Sequence, residues 1–475
     1  MLMTASHQNP VSKASYVDMD SAVFRTVAYM MNRGYMPYKD SFDHKGPLIY
    51  LINYLGDQVI SDVFGLWLIE VLFLAATILI IYYTARLFLG RTRSFLVAMT
   101  SISLIMLFFE KGNFVEEYAL PFIALSNYIF LDCLINSKVS PLRIILCGVS
   151  LGAVLMLRPN MIALWIVFGV AVTVRLIRRK EVRLLIRYIL LLLGGAIIVM
   201  IPVIIWLGIN GALSYFWNDY IVFNFLYLGN DKNHIFDYRI KTLIEFGKNP
   251  VIILSLLASA FLAVRNKDKV MLCAFCYELL SFVLIVIPGR LYTHYGLMMV
   301  PCVIYPLCAL YNAFDHIPKA KVKHWTENIF AAVLTLAFII PGWLVMGLTF
   351  YDPALKTNDM DEYYRKSAEK VAGIVTAETS PRDKIFVFGN WDCIYLMTDR
   401  MHATKYSYQY PPCYLSLDLM NDCYQELEKD PPRVVVVQAG QYNMISWFLE
   451  EGQYRLIWSE DPGDLLGSIS VFRLE

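Results

Sequence analysis

Ten apolar stretches, separated by loops of alternating charge, constrain this chain more than any other feature. They lie roughly at 66–88, 93–109, 119–135, 142–157, 161–177, 185–209, 251–264, 270–288, 295–313 and 326–350. A bilayer hydrocarbon core of ~30 Å is crossed by ~20 apolar residues in a helix, so the longer stretches suffice and the shorter ones leave their boundaries open. Lysine and arginine collect in every second loop: RLFLGRTR (86–93), NSKVSPLR (136–143), RLIRRKEVRLLIR (175–187), RNKDK (265–269) and PKAKVKH (318–324). The positive-inside bias assigns these five to the cytoplasm. Residues 1–65, EKGNFVEE (110–117), RPN (158–160), the 210–250 loop, PGRLYTH (288–294) and everything after about 350 then face outward. Composition agrees, with 57% of residues hydrophobic and 17% charged, a polytopic membrane balance. A net charge of +1 argues against nucleic acid as a partner.

Two ends of the chain depart from the span pattern. Residues 1–20 contain no apolar h-region, yet they precede an outward segment carrying Lys13, Arg25, Arg33, Lys39 and Lys45. Translocating those charges with the 66–88 span alone is awkward, so the sequence leads us to expect a further helix upstream of residue 1. After residue 350, KIFVFG (384–389), RVVVVQAG (433–440), YRLIWSE (454–460) and SISVFRLE (468–475) read as strands, and 415–429 as a helix. The expected organisation is a first outer loop at 1–65, a multi-span domain at 66–350 and an extracytoplasmic α/β domain at 351–475. The nine cysteines form no framework: Cys273 and Cys276 sit inside an apolar span, and Cys393, Cys413 and Cys423 leave one disulfide open.

Orientation gathers the ionisable clusters on one side. YVDMDSAVF (16–24) brings Asp18 and Asp20, and YKDSFDHKGPLIY (38–50) brings Asp40, Asp43, His44 and Lys45. GNFVEEYALPF (112–122) brings Asn113, Glu116 and Glu117; LRPN brings Arg158; GRLYTHY (289–295) brings Arg290, His294 and Tyr295. Charges at a membrane boundary are costly and hence functional candidates. No GxSxG elbow and no phosphate-binding glycine loop is present, which removes serine hydrolases and nucleotide donors from view. Carboxylates beside cations suit sugar transfer from a polyprenyl phosphate. The phosphate leaves as an acidic group needing only cationic stabilisation, while the acceptor hydroxyl needs one general base. A glycosidase would require a second carboxyl as acid or nucleophile.

At these residues the chain resembles the GT-C superfamily of membrane glycosyltransferases. It is most similar to the bacterial branch related to protein O-mannosyltransferases and the lipid A aminoarabinose transferase. YVDMDSAVF matches the acidic motif of that group's first outer loop, and Gly34, Pro37, Tyr38, Asp40, Asp43, Lys45 and Pro47 match the pattern that follows. The resemblance implies Asp20 as the base on the acceptor, Glu116 as a second catalytic or positioning acid, and Lys45, Arg290, His294 and Arg158 around the donor phosphate. Asp18, Asp43, His44, Asn113 and Glu117 would position the acceptor or a divalent cation, Mg2+ or Mn2+. It implies a polyprenyl-phosphate-linked sugar donor, a glycan, lipid or protein acceptor, and a site at the outer face of the cell membrane. Each residue also has a plainer reading: Asp20 as a helix N-cap, Lys45 as a snorkelling lysine, Arg158 as a helix-end anchor. A lipid-linked-sugar flippase and a non-catalytic partner subunit stay open beside the transferase.

Overall fold

The computed structural model describes residues 6, 8, 19–59, 63–136, 139–229, 235–313, 359–410, 412–461 and 463–475. Asp18 and the stretch expected at 326–350 lie outside the described residues. Helix α1 (Met19–Met31) and α2 (Pro47–Val59) flank the first loop. Helices α3 (Val63–Arg86), α4 (Arg91–Phe108), α5 (Val115–Asn136), α6 (Pro141–Leu157), α7 (Ala163–Arg178) and α8 (Val182–Ile209) follow. After them come α9 (Leu213–Phe216), a π-helical turn over Trp217–Val222, α10 (Phe223–Gly229), α11 (Ile235–Gly247), α12 (Pro250–Asn266), α13 (Lys269–Val286) and α14 (Ile304–Ala313).

Five of these helices (α3, α4, α5, α8 and α13) are long and apolar enough to cross a membrane, or up to seven spans if two bent pairs each count as one. The 66–88 stretch becomes α3, and Pro159 separates α6 from α7 with a 3-10 turn at Pro159–Met161. The stretch expected at 295–313 is not a single helix. A 3-10 segment, Thr293–Met299, meets α14 at a bend of 56°. Pro301 falls in the break, where it has no N–H to donate, and its carbonyl accepts the Asn127 side chain at 3.0 Å.

The chain divides into two compact units: Met1–Ser6, Trp67–Ile204 and Lys232–Tyr351 form the first; His7–Leu66, Ile205–Asp231 and Asp352–Glu475 form the second. In the first, α6 and α8 approach through glycine. A Cβ added at Gly148 would fall on the Leu192 carbonyl oxygen, and one at Gly195 on that of Ile145; at Gly152 it would stand 2.6 Å from the Ala196 oxygen. Small residues let backbones pack closely where no hydrophobic drive separates helix from lipid.

The second unit carries a five-stranded sheet: β1 (Lys384–Phe388), β2 (Met401–His402), β3 (Val434–Val437), β4 (Tyr454–Ser459) and β5 (Ser470–Leu474) in the order β2-β1-β3-β5-β4. β1 pairs in parallel with β2 and β3, while β5 runs antiparallel to β3 and β4. The four valines of β3 are buried throughout, as expected of a central strand covered on both faces. Ser416 caps the helix Leu417–Lys429 through the Leu419 amide. The strands expected from β-branched runs all form, and β2 adds one too short to show a pattern. All nine cysteines are free thiols, Cys393, Cys413 and Cys423 included.

Asp392 follows β1 in this unit. It is buried, and neither carboxylate oxygen has a hydrogen-bond partner among the described residues. Burial pushes its carboxyl up to about 7; the nearby hydroxyls of Ser407 and Thr26 oppose that rise and the negative charge of Asp43 adds to it.

Two tests follow. Gly148→Ala should destabilise the solubilised protein by about 2 kcal/mol through overpacking, whereas Gly169→Ala, with nothing within 4 Å of the added carbon, should be neutral or stabilising; thermal melts in detergent separate them. A carboxyl raised on folding costs stability as pH rises from about 4 to about 7. Asp392→Asn should therefore level that slope and raise the melting temperature above pH 7; an unchanged slope would remove Asp392 as its source.

Candidate active site

The second unit brings Asp20, Asp43, His44 and Lys45 together. Asp20 lies in the first turn of α1, where the unpaired backbone amides favour a carboxylate. Its Oδ2 stands 3.6 Å from Lys45 Nζ; the carboxylate side chain is 38% exposed and the lysine only 13%. The base candidate thus meets solvent while its cation is sheltered. Lys45 Nζ also lies 3.2 Å from His44 Nε2.

Asp43 is the buried anchor. Its Oδ1 accepts from the His44 amide at 2.7 Å and from the Tyr408 hydroxyl at 2.8 Å, and its Oδ2 accepts from the Tyr50 hydroxyl at 2.9 Å. Burial raises its carboxyl above the ordinary range, and the Lys45 charge and the Tyr408 hydroxyl oppose that rise. The loop backbone is held nearby: Tyr38 donates to the Lys45 carbonyl at 2.8 Å, with the Tyr50 oxygen 3.2 Å from the same atom, and Asn224 donates to the His44 carbonyl at 2.7 Å. Tyr38 adopts a left-handed conformation, φ 67°. Asp40, by contrast, accepts from the Met36 amide at 2.7 Å and closes its own turn.

Residues 402–408, at and after β2, complete this arrangement. Besides Tyr408, the Lys405 carbonyl accepts from the Phe42 amide at 2.7 Å, and Ser41 Oγ lies 3.1 Å from His402 Nε2. Lys405 Nζ stands 3.5 Å from Asp219 of the π-helical turn, whose carboxyl burial pushes up to about 7 against the pull of that lysine. The rings of Phe42, Phe223, Tyr406 and Tyr408 pack in one core, Phe42 edge-on to Phe223 at 5.4 Å.

The first unit holds a second polar cluster, built from Glu116, Arg158 and His294. Arg158 pairs with Glu116, donates to the Tyr295 hydroxyl at 2.5 Å and lies 4.1 Å over the Tyr295 ring. His294 Nδ1 meets Glu110 Oε2 at 2.6 Å, its Nε2 reaches to 3.9 Å from Glu116 Oε2, and its ring stacks on Phe114. Burial works against ionisation of Glu110, but the bonds and charge of His294 and the donors of Thr293 outweigh it and hold the carboxyl below its usual value. Asn113 instead gives its amide to Glu70 Oε1 at 3.0 Å, while Ser6 donates to Glu70 Oε2 at 2.8 Å. Gly112 is required there: its φ is +90°, and an added Cβ would strike the Glu70 carboxylate. Glu117 is fully buried in the first turn of α5, and Arg290 is half-buried four residues before His294.

Tyr408, Lys405, Asp219, Asp392 and Glu110 escape a sequence reading. Glu110 sits beside a motif already suspected, but Tyr408 is 365 positions from Asp43 and nothing in YSYQY marks it. Among the described residues, no three His, Cys, Asp or Glu side chains are arranged to hold a metal ion.

Comparison with solved structures places the fold. ArnT from Cupriavidus metallidurans, solved bound to undecaprenyl phosphate and in the apo state, matches with a TM-score of 0.58 at 12% identity, covering 97% of this chain and 94% of that one. AglB from Archaeoglobus fulgidus, an archaeal oligosaccharyltransferase, matches with a TM-score of 0.48 at 12% identity over 96% of this chain and 70% of that one. The resemblance read from the loop motifs is thus accompanied by a likeness of fold to ArnT. No curated protein sequence matches the chain. A family profile matches residues 6–324, about two thirds of the sequence, and the chain belongs to the family described as "Putative competence-induced protein Ccs4 N-terminal domain".

Proposed function

We propose that this protein is a membrane glycosyltransferase that moves a sugar from a polyprenyl-phosphate donor to a hydroxyl of a cell-envelope acceptor, by inverting displacement at the outer leaflet. The observation that carries the reading is the juxtaposition of Asp20 and Lys45: a partly exposed carboxylate 3.6 Å from a sheltered ammonium, in a chain sharing the fold of ArnT, whose structure was solved with undecaprenyl phosphate.

The division of labour follows from chemistry. Asp20 takes the proton of the acceptor hydroxyl as its oxygen attacks the anomeric carbon, and the phosphate departs with the bonding pair. Lys45 stabilises the negative charge that grows on that phosphate, a role a cation performs best where solvent is excluded. The proposed sites of Arg158 and His294 are also cationic or polar, but here Glu116 and Glu110 engage them, so we assign that network to positioning within its own unit. The transporter reading gains nothing from the two acids inside spans: Glu70 accepts from Ser6 and Asn113, and Glu278 from Ser259 at 2.7 Å.

Asp20→Asn should lower turnover by about 10²- to 10⁴-fold, the range of a lost general base, with expression and melting temperature unchanged. Lys45→Ala should weaken donor use as well. Both are read in membranes by transfer from a polyprenyl-phosphate sugar, the donor class being found from lipid-linked sugars that accumulate in a deletion strain. Full turnover in the Asp20 variant would refute the assignment.

A further inference from the structure

The direction of each hydrogen bond around His44 can be worked out from donor inventory alone. An ammonium has three donors and no acceptor, so the 3.2 Å contact between Lys45 Nζ and His44 Nε2 requires a lone pair on Nε2. The ring proton then sits on Nδ1. Two oxygens face Nδ1 at 3.4 Å: the Tyr408 hydroxyl and Asp43 Oδ1. The Tyr408 hydroxyl has given its own proton to Asp43 Oδ1, at 2.8 Å, which leaves its lone pairs free to accept. The ring has little freedom to turn away, since it stacks on Tyr227 at 5.3 Å and its backbone carbonyl is fixed by Asn224.

We propose that Tyr408, supplied by the C-terminal α/β domain, is a positioning residue that fixes the tautomer of His44 and through it the orientation of Lys45 toward the donor phosphate. The proposal rests on the donor-binding reading of Lys45. The chain runs from Lys45 N–H to His44 Nε2, from His44 Nδ1–H to the Tyr408–Asp43 pair, and ends on a carboxylate that Tyr50 holds from its other side. Reversing the tautomer would turn an N–H against the Lys45 ammonium, which repels it and releases it from its place beside Asp20. Tyr408 therefore acts at a distance from the phosphate, without touching it.

The test uses the full-length chain in detergent, labelled with 15N-histidine. Of its seven histidines, the His44 resonance is identified by its loss in His44→Gln. Wild type should show the 15N signature of the Nδ1–H tautomer at His44, and an Nε2–H signature there overturns the proposal without any variant. Tyr408→Phe keeps the ring in its core and removes only the hydroxyl; it should shift His44 toward the other tautomer and weaken binding of undecaprenyl phosphate about tenfold, the scale of one lost hydrogen bond to a charged group. Tyr50→Phe, which also strips a donor from Asp43 but does not face the ring, should leave the tautomer in place. An equal shift in both variants would trace the effect to the Asp43 charge and overturn the role of Tyr408. Failure of undecaprenyl phosphate to bind the wild type would overturn the donor reading of Lys45, an outcome distinguishable because the tautomer is read with no lipid present.

Discussion

A carboxylate removed from water is costly unless donors replace the solvent, and the second unit is arranged around one such group, Asp43. Three donors converge on it: a backbone amide from its own loop, a tyrosine hydroxyl one turn into α2, and another from the far end of the chain. Beside it the loop carries a left-handed residue at Tyr38, and the hydroxyls of Tyr38 and Tyr50 both lie against the Lys45 carbonyl. The result is a lysine whose backbone is rigidly held and whose ammonium meets Asp20. A salt bridge between a mobile surface lysine and an exposed aspartate would have little energetic content; here the surrounding order defines where the cation stands.

Much of this was legible because local chemistry acts locally. The β-branched runs at 384–389 and 433–440 became paired strands for reasons contained in a few neighbouring residues. Asp40 shows the limit of motif reading: the same acid that fits a pattern turns out to cap Met36. What stayed hidden depended on long-range closure. Tyr408, Lys405 and Asp392 lie in sequence that looks like ordinary domain surface, and only the fold makes them neighbours of the first loop. The bend at Pro301 was similarly masked, since hydropathy averages over a break that a single missing N–H creates.

The cluster in the first unit obeys a different economy. Glu116 and Arg158 are both sheltered, so removing either strands the other in a low-dielectric setting, at about 3–5 kcal/mol. Loss of activity on substitution there would reflect that destabilisation before it reflected chemistry. Asp20, more open to solvent, carries no such burden.

The bond between Tyr408 and Asp43 also orders events in time. A ribosome delivers the first loop hundreds of residues before the tyrosine that fixes it, along with the Lys405 carbonyl that receives the Phe42 amide. Until then the loop holds an aspartate short of one donor. The loop around Asp43 therefore reaches its final arrangement only after residues 405–408 have been made.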